Sequence, residues 1–198
     1  GDALAEESFN SAIALVERLG GRITEIDFSA FADAGARLFN GPILAERYAS
    51  VGEFIGSHPD EVHPVVGGIV SQAKSYSAVD LINEYYRLRE FMSRAYDELS
   101  VIDALMVPTA GTIYKIKEVE ADPIKLNANM GYYTYFANLF QLSALAVPLT
   151  IRPDGLPFGV CFLAGPQEDR ALLNLGKRWQ AATKLPLGAT QSTAIQPN

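Results

Sequence analysis

Apolar residues along this chain alternate between helical stripes and short unbroken runs. Phe9, Ile13, Val16 and Leu19 recur at helical spacing and predict a helix stopped by Gly20-Gly21. Residues 22–28 follow with Thr24, Ile26 and Phe28 on one face, the alternation of a strand. Ser29 stands where it can cap a helix running to about Leu38, and Gly41-Pro42 then resets the chain. Leu44, Tyr48, Val51 and Ile55 form the next stripe, ended by His58-Pro59. A further helical segment spans residues 64–74, where Gly67-Gly68 suggests close packing or a bend. The longest helix opens at Ser77, whose spacing to Asp80 is a variant of the capping box. Its apolar face is Leu81, Tyr85, Leu88, Met92, Ala95 and Leu99, with Glu84, Arg87, Glu90 and Arg94 assigned to the solvent side.

Residues 104–108 and 144–148 are apolar runs closed by proline and read as strands buried on both faces of a sheet. Residues 149–152 and 156–163 flank Pro153-Asp154-Gly155, a hairpin signal, and Leu172, Leu175, Gly176 and Trp179 mark a last helix. Residues 110–130 are the longest stretch without a clear period and read as a loop. The pattern is that of an α/β protein over residues 1–185, with residues 186–198 a polar linker or disordered tail.

Composition narrows the partners. With 198 residues, 48% hydrophobic and 20% charged, the chain can bury one sizeable core as a domain or part-domain. A net charge of −7 without any basic stripe argues against nucleic acid and anionic membrane surfaces. No apolar run has membrane-spanning length and no signal peptide is recognisable, which suits the cytoplasm. Cys161, between Val160 and Phe162, reads as a core thiol. His58 and His63 lack the further ligands of a zinc spacing, and no phosphate loop occurs, so neither metal nor cofactor is expected.

Arg47 is the candidate for chemistry. At 100° per residue it falls at the edge of the Leu44 stripe, and its neighbours three and four positions away are Ile43, Leu44, Ser50 and Val51, none of them acidic. A guanidinium so placed needs a distant carboxylate, helix-end carbonyls, or a planar anion from outside.

The segment around it, Leu38-Phe39-Asn40-Gly41-Pro42-Ile43-Leu44-Ala45-Glu46-Arg47, resembles the Leu-Tyr-x-Gly-Pro-Trp-Val-Ala-Glu-Arg stretch of allophanate hydrolases, a branch of the amidase signature family. Val107-Pro108-Thr109, the run Leu126-Asn127 through Thr134, Phe136 and Asn138, Ala146-Val147-Pro148 and Gly155-Leu156-Pro157-Phe158-Gly159-Val160 follow in the family's order. The resemblance implies part of an amidase signature fold, a mixed β-sheet sandwiched between helices, and identifies the chain with the C-terminal half of that domain. It implies that Arg47 holds the substrate carboxylate. Phe39 stands where the family has the tyrosine that assists, and Ile43 where it has tryptophan. Thr134 and Asn138 lie in a segment similar to the family's Thr-Asn-Phe-Val-Asn and are expected at the border of the active site or in helix-start hydrogen bonds.

The family's catalytic serine, bridging serine and lysine have no counterpart. Lys74-Ser75 and Ser77 do not form the required Gly/Ser-rich segment, and no catalytic residue is assigned. The parent function implied is hydrolysis of allophanate, the urea-carboxylation product, to ammonia and carbon dioxide. It would use the missing N-terminal half, a homodimer and a functional link to urea carboxylase. The alternatives are another amidase signature enzyme on a carboxylate-bearing amide, such as a carboxybiuret-type hydrolase or the amidase-family component of an amidotransferase, and a non-catalytic interaction module.

Overall fold

A computed structural model of the 198-residue chain describes residues 1–185, so the expected tail at 186–198 lies outside the described residues. Helix α1 spans Ala3–Arg18, α2 Ser29–Gly35, α3 Leu44–Ser57, α4 Pro64–Ser71 and α5 Ala78–Leu99. Strand β1 is Leu105–Pro108, followed by the short helices α6 (Ile116–Ala121), α7 (Pro123–Gly131) and α8 (Phe136–Leu139). Strands β2 (Ser143–Ile151) and β3 (Pro157–Ala164) form the hairpin, and α9 is Asp169–Thr183.

The strands lie in the order β1-β3-β2, and both pairings are antiparallel. Because side chains alternate along a strand, the central β3 separates two cores. Cys161 and Leu163 join α2, α5 and α8 on one side, where Phe31, Phe136 and Phe140 are fully buried. Phe158, Val160, Phe162 and Ala164 meet α1 and α9 on the other side around Trp179. The Trp179 indole stands edge-on to Phe162 and donates to the Pro148 carbonyl at 2.8 Å, where a bulge interrupts β2.

Several local expectations change. Residues 22–28 are extended but pair with no strand among the described residues; Asp27 donates its amide to Glu98 instead. The α2 start is capped by the Asp27 carboxylate accepting from the Ser29 amide at 2.8 Å, not by Ser29 itself. Strand β2 is not buried on both faces: Val147 and Leu149 point into the core while Ala144, Ala146 and Pro148 are more open, since β2 is at an edge and helices cover one face. Residues 110–130 contain α6 and α7, started where Glu118 accepts from the Lys115 amide at 2.7 Å and where Asp122 caps a turn opened by Pro123.

On α1 the buried face is Ala5, Ser8, Ala12 and Leu15, with Phe9, Val16 and Leu19 packed at its margin. Its end is a Schellman motif: Gly20 takes φ +88°, and the Gly21 and Gly20 amides donate to the Val16 and Glu17 carbonyls, both at 2.9 Å. On α3, Leu44 and Gly52 are buried whereas Val51 is 44% exposed. Gly67-Gly68 produces no break, since α4 runs through both.

The capping box at Ser77 and Asp80 forms as expected, and hydrogen bonds from the Ser77 hydroxyl and amide hold the Asp80 carboxyl below its ordinary pKa. The assignment of Glu84 to the solvent face of α5 is overturned. Glu84 is 1% exposed, while Tyr85 is outside. Arg37, just past α2, donates from Nη1 to both Glu84 oxygens at 3.0 Å, and Arg87 from the next turn adds a contact at 3.3 Å. A carboxylate can be buried when cations neutralise it and occupy its lone pairs. The pair fixes the residue-37 turn against α5, although Arg37 Nε is buried without a partner among the described residues.

Glu84→Gln leaves Arg37 against an uncharged amide. The expected loss is about 3 kcal/mol of folding stability, read as a lower urea midpoint with an unchanged slope. An unchanged midpoint would mean that the buried pair contributes nothing net.

Candidate carboxylate-binding site

The turn that Arg37 anchors presents its next two residues to α3. Arg47, one turn into α3, donates from Nη1 to the Leu38 carbonyl, and its Cζ lies 4.3 Å from the centroid of the Phe39 ring. One of the expected outlets for this arginine is therefore met by a backbone carbonyl, and a second face is covered by an aromatic ring. Among the described residues no carboxylate lies within ion-pair distance of Arg47. A guanidinium carries five N–H donors. One is committed to Leu38, and the others make no hydrogen bond among the described residues.

Phe39 is 41% exposed and meets Tyr135 edge to face, with centroids 4.9 Å apart at 64°. Tyr135 follows α7 and donates its hydroxyl to the Asn127 carbonyl at 2.8 Å. Burial pushes the Tyr135 phenol above its ordinary pKa, the Arg47 charge pulling in the opposite direction. Gly131 makes this ring position possible, because a Cβ there would collide with ring carbons of Tyr135. Arg47, Phe39 and Tyr135 thus form one contiguous cluster drawn from three segments of the chain.

Thr134 and Asn138 make local contacts. The Thr134 hydroxyl faces the Gly131 carbonyl at 3.5 Å, and the exposed Asn138 accepts from the Leu139 amide at 3.1 Å. The serines near Lys74 are likewise spent locally: Ser75 donates to the Gln72 carbonyl at 2.7 Å and Ser77 caps α5, while the Lys74 ammonium lies over the Tyr48 ring. His58 stacks on Phe54. Among the described residues no cluster of three His, Cys, Asp or Glu is arranged to hold a metal. Cys161 is buried, and burial pushes its thiol pKa up.

A second polar cluster escapes sequence reasoning. Arg152, at 6% exposure, is held by Asp2 at 3.0 Å and by Asp154, tying the start of α1 to the β2–β3 hairpin. The Arg152 hydrogen bond holds the Asp154 carboxyl below its ordinary pKa. At Asp2, desolvation pushes upward but is outweighed by hydrogen bonds from Thr112, the Ala5 amide and Arg152. Arg152 borders a cleft of about 340 Å³ lined also by Thr109, Ala146, Pro148 and Phe158. The cleft does not include Arg47, and the Arg152 charge is already neutralised by Asp2 and Asp154.

The fold and the sequence agree on the class. A family model described as amidase matches residues 2–173, and the chain belongs to that family. Among its relatives, the urea amidolyase of Saccharomyces cerevisiae is 35% identical over 173 residues, covering 86% of this chain and 9% of that protein. The urea amidolyase of Lachancea kluyveri is likewise 35% identical over 173 residues, 86% of this chain and 10% of that protein. The structure of Kluyveromyces lactis allophanate hydrolase superposes with TM-score 0.87 and 31% identity, over 93% of this chain and 30% of that one. The chain therefore spans about a tenth of the length of the urea amidolyases it matches.

At position 39, Phe→Tyr would add a hydroxyl on the half-exposed ring beside Arg47. A hydroxyl that reaches the bound carboxylate contributes about 1 to 2 kcal/mol, so KM for a carboxylate-bearing amide should fall several-fold in the intact amidase. An unchanged or higher KM would show that the ring edge does not face the substrate.

Proposed function

We propose that this chain supplies the substrate-carboxylate site of an amidohydrolase acting on allophanate. Residues 1–185 would form the C-terminal portion of its amidase domain, and the N-terminal portion would bring the serine nucleophile, the bridging serine and the lysine. The carrying observation is Arg47, half-buried on Phe39 with no acidic partner among the described residues. The similarity to urea amidolyase and allophanate hydrolase supports the choice of substrate.

Bidentate contact of Arg47 with the terminal carboxylate would fix one end of a short, flat substrate, and the Phe39 ring would cover the guanidinium face. With that end held, the amide carbonyl is presented to the nucleophile in one register, which turns binding energy into orientation. Attack by the serine oxygen on the amide carbonyl, collapse with loss of one ammonia and hydrolysis of the acyl-enzyme would release N-carboxycarbamate, whose loss of two molecules of carbon dioxide frees the second ammonia; no metal is required by this chemistry. In this reading the protein works in the cytoplasm as a homodimer, next to a carboxylating activity that makes allophanate from urea. No described helix is long and apolar enough to cross a membrane.

Arg47→Lys should already impair the intact enzyme, because an ammonium on a flexible stem cannot reproduce the fork. Arg47→Gln should lower kcat/KM for allophanate by about 100-fold, the effect of losing a charged bidentate contact, while changing turnover of biuret, its neutral amide counterpart, far less. Equal losses on both compounds, or a large fall in melting temperature with kcat/KM per folded molecule intact, would assign Arg47 a structural role. That selectivity also separates the allophanate reading from an amidotransferase or an interaction module.

These 198 residues alone should release no ammonia from allophanate above a buffer control, since Arg47 positions a substrate but supplies no nucleophile. Measurable turnover by the purified chain, with contaminating amidase excluded, would place an unrecognised nucleophile in it.

A further inference from the structure

Beside the arginine site stands Tyr135, whose hydroxyl bonds elsewhere than to Arg47. The Arg47 guanidinium lies on the Phe39 ring, Phe39 is half exposed on a turn, and the ring packed against it is Tyr135. Two contacts surround Tyr135 itself. Its hydroxyl donates to the Asn127 carbonyl, and its ring lies flush on Gly131, where any side chain would collide with it. The next residue, Phe136, is fully buried and packs edge-on to Phe31, so the backbone of Tyr135 is fixed to the core.

We propose that Tyr135 is a positioning residue for substrate recognition, its ring buttressing Phe39 so that the Arg47 fork is held in the orientation that takes a carboxylate. The proposal rests on the carboxylate reading of Arg47. It assigns the work to the ring. The hydroxyl bond to an exposed carbonyl competes with water and adds little. Without the buttress the Phe39 side chain is free to leave the guanidinium, and each substrate must then wait for the productive arrangement. That weakens ground-state binding and leaves the chemical step, carried by other groups, in place.

The test uses the intact amidase with allophanate as substrate and compares Tyr135→Leu, Tyr135→Phe, Gly131→Ala and Arg47→Gln, each assayed per folded molecule. Tyr135→Leu should raise KM roughly fivefold to tenfold, the worth of an aromatic pair, with kcat within about twofold of the parent. Tyr135→Phe should restore KM to within about twofold, because the ring is kept. Gly131→Ala, which displaces the phenol without removing it, should behave as Tyr135→Leu does. An unchanged KM for Tyr135→Leu or Gly131→Ala, beside a raised KM for Arg47→Gln, overturns the buttress and leaves the Arg47 site standing. If Arg47→Gln leaves KM unchanged, the carboxylate reading fails and the buttress with it. Tyr135→Phe as damaging as Tyr135→Leu also overturns the ring buttress, since the hydroxyl and not the ring would then carry the effect. Where Tyr135→Leu does not fold, Gly131→Ala and Tyr135→Phe decide by the same criteria.

Discussion

A buried carboxylate organises the helical side of this molecule. Glu84 lies on the inner face of the longest helix, where an uncompensated charge would be prohibitive, and Arg37 neutralises it with Nη1 centred between both oxygens. Because Arg37 closely follows α2, the pair clamps the turn joining α2 to α3. Leu38 and Phe39 are the next residues of that turn, so the carbonyl and the ring that receive Arg47 are placed by an ion pair that Arg47 does not touch. The buried ion pair and the proposed recognition site share one covalent stretch.

The sheet does a different job. Its central strand distributes alternate side chains to two aromatic cores, one built on Phe31, Phe136 and Phe140 and one on Trp179. The first core fixes α2 and α8, the elements from which the Phe39 and Tyr135 segments depart. The second holds α1 and α9 and is closed by Arg152 between Asp2 and Asp154. The outer face of β2, with Ala144, Ala146 and Pro148, is small and apolar and borders the cleft beside Arg152. Members of the amidase family that match this chain are much longer, and the catalytic groups proposed for the intact enzyme would come from the part that this chain does not contain.

In the proposed function, recognition by this chain is separable from bond breaking. Arg47 and its aromatic neighbours offer shape and charge, while the serines near Lys74 are used to close helix ends. An aromatic pair suits such a site because rings lose few rotamers when ordered and cover a guanidinium without neutralising it. A carboxylate in the place of Phe39 would pair with Arg47 and compete with an anionic substrate.

Much of the architecture is readable along the chain because it depends on local periodicity and end chemistry. The α1 stop at Gly20, the Ser77 capping box, the hairpin at Pro153-Asp154-Gly155 and the last helix follow from spacing, backbone freedom and hydrogen-bonding reach. Arg47 is legible as an arginine with no acid three or four positions away on its own helix, and the surrounding motif points to its family. Its actual neighbours are not, since Tyr135 is remote in sequence and sits in a run of aromatic residues that composition cannot rank. Glu84 is misplaced for the same reason: a helical wheel sends a charged residue outward, and only an arginine brought in by another element makes burial tolerable. Residues 22–28 have a strand's alternation but no described strand beside them, and hydrogen-bond partners across a sheet are a property of the folded chain. Helices with marked ends, the hairpin and the isolated arginine can be read from the residues alone, because they rest on contacts within a few positions. Which charge is buried, which strand face is covered and which ring supports the arginine are settled in three dimensions, because each depends on what another segment brings to the same place.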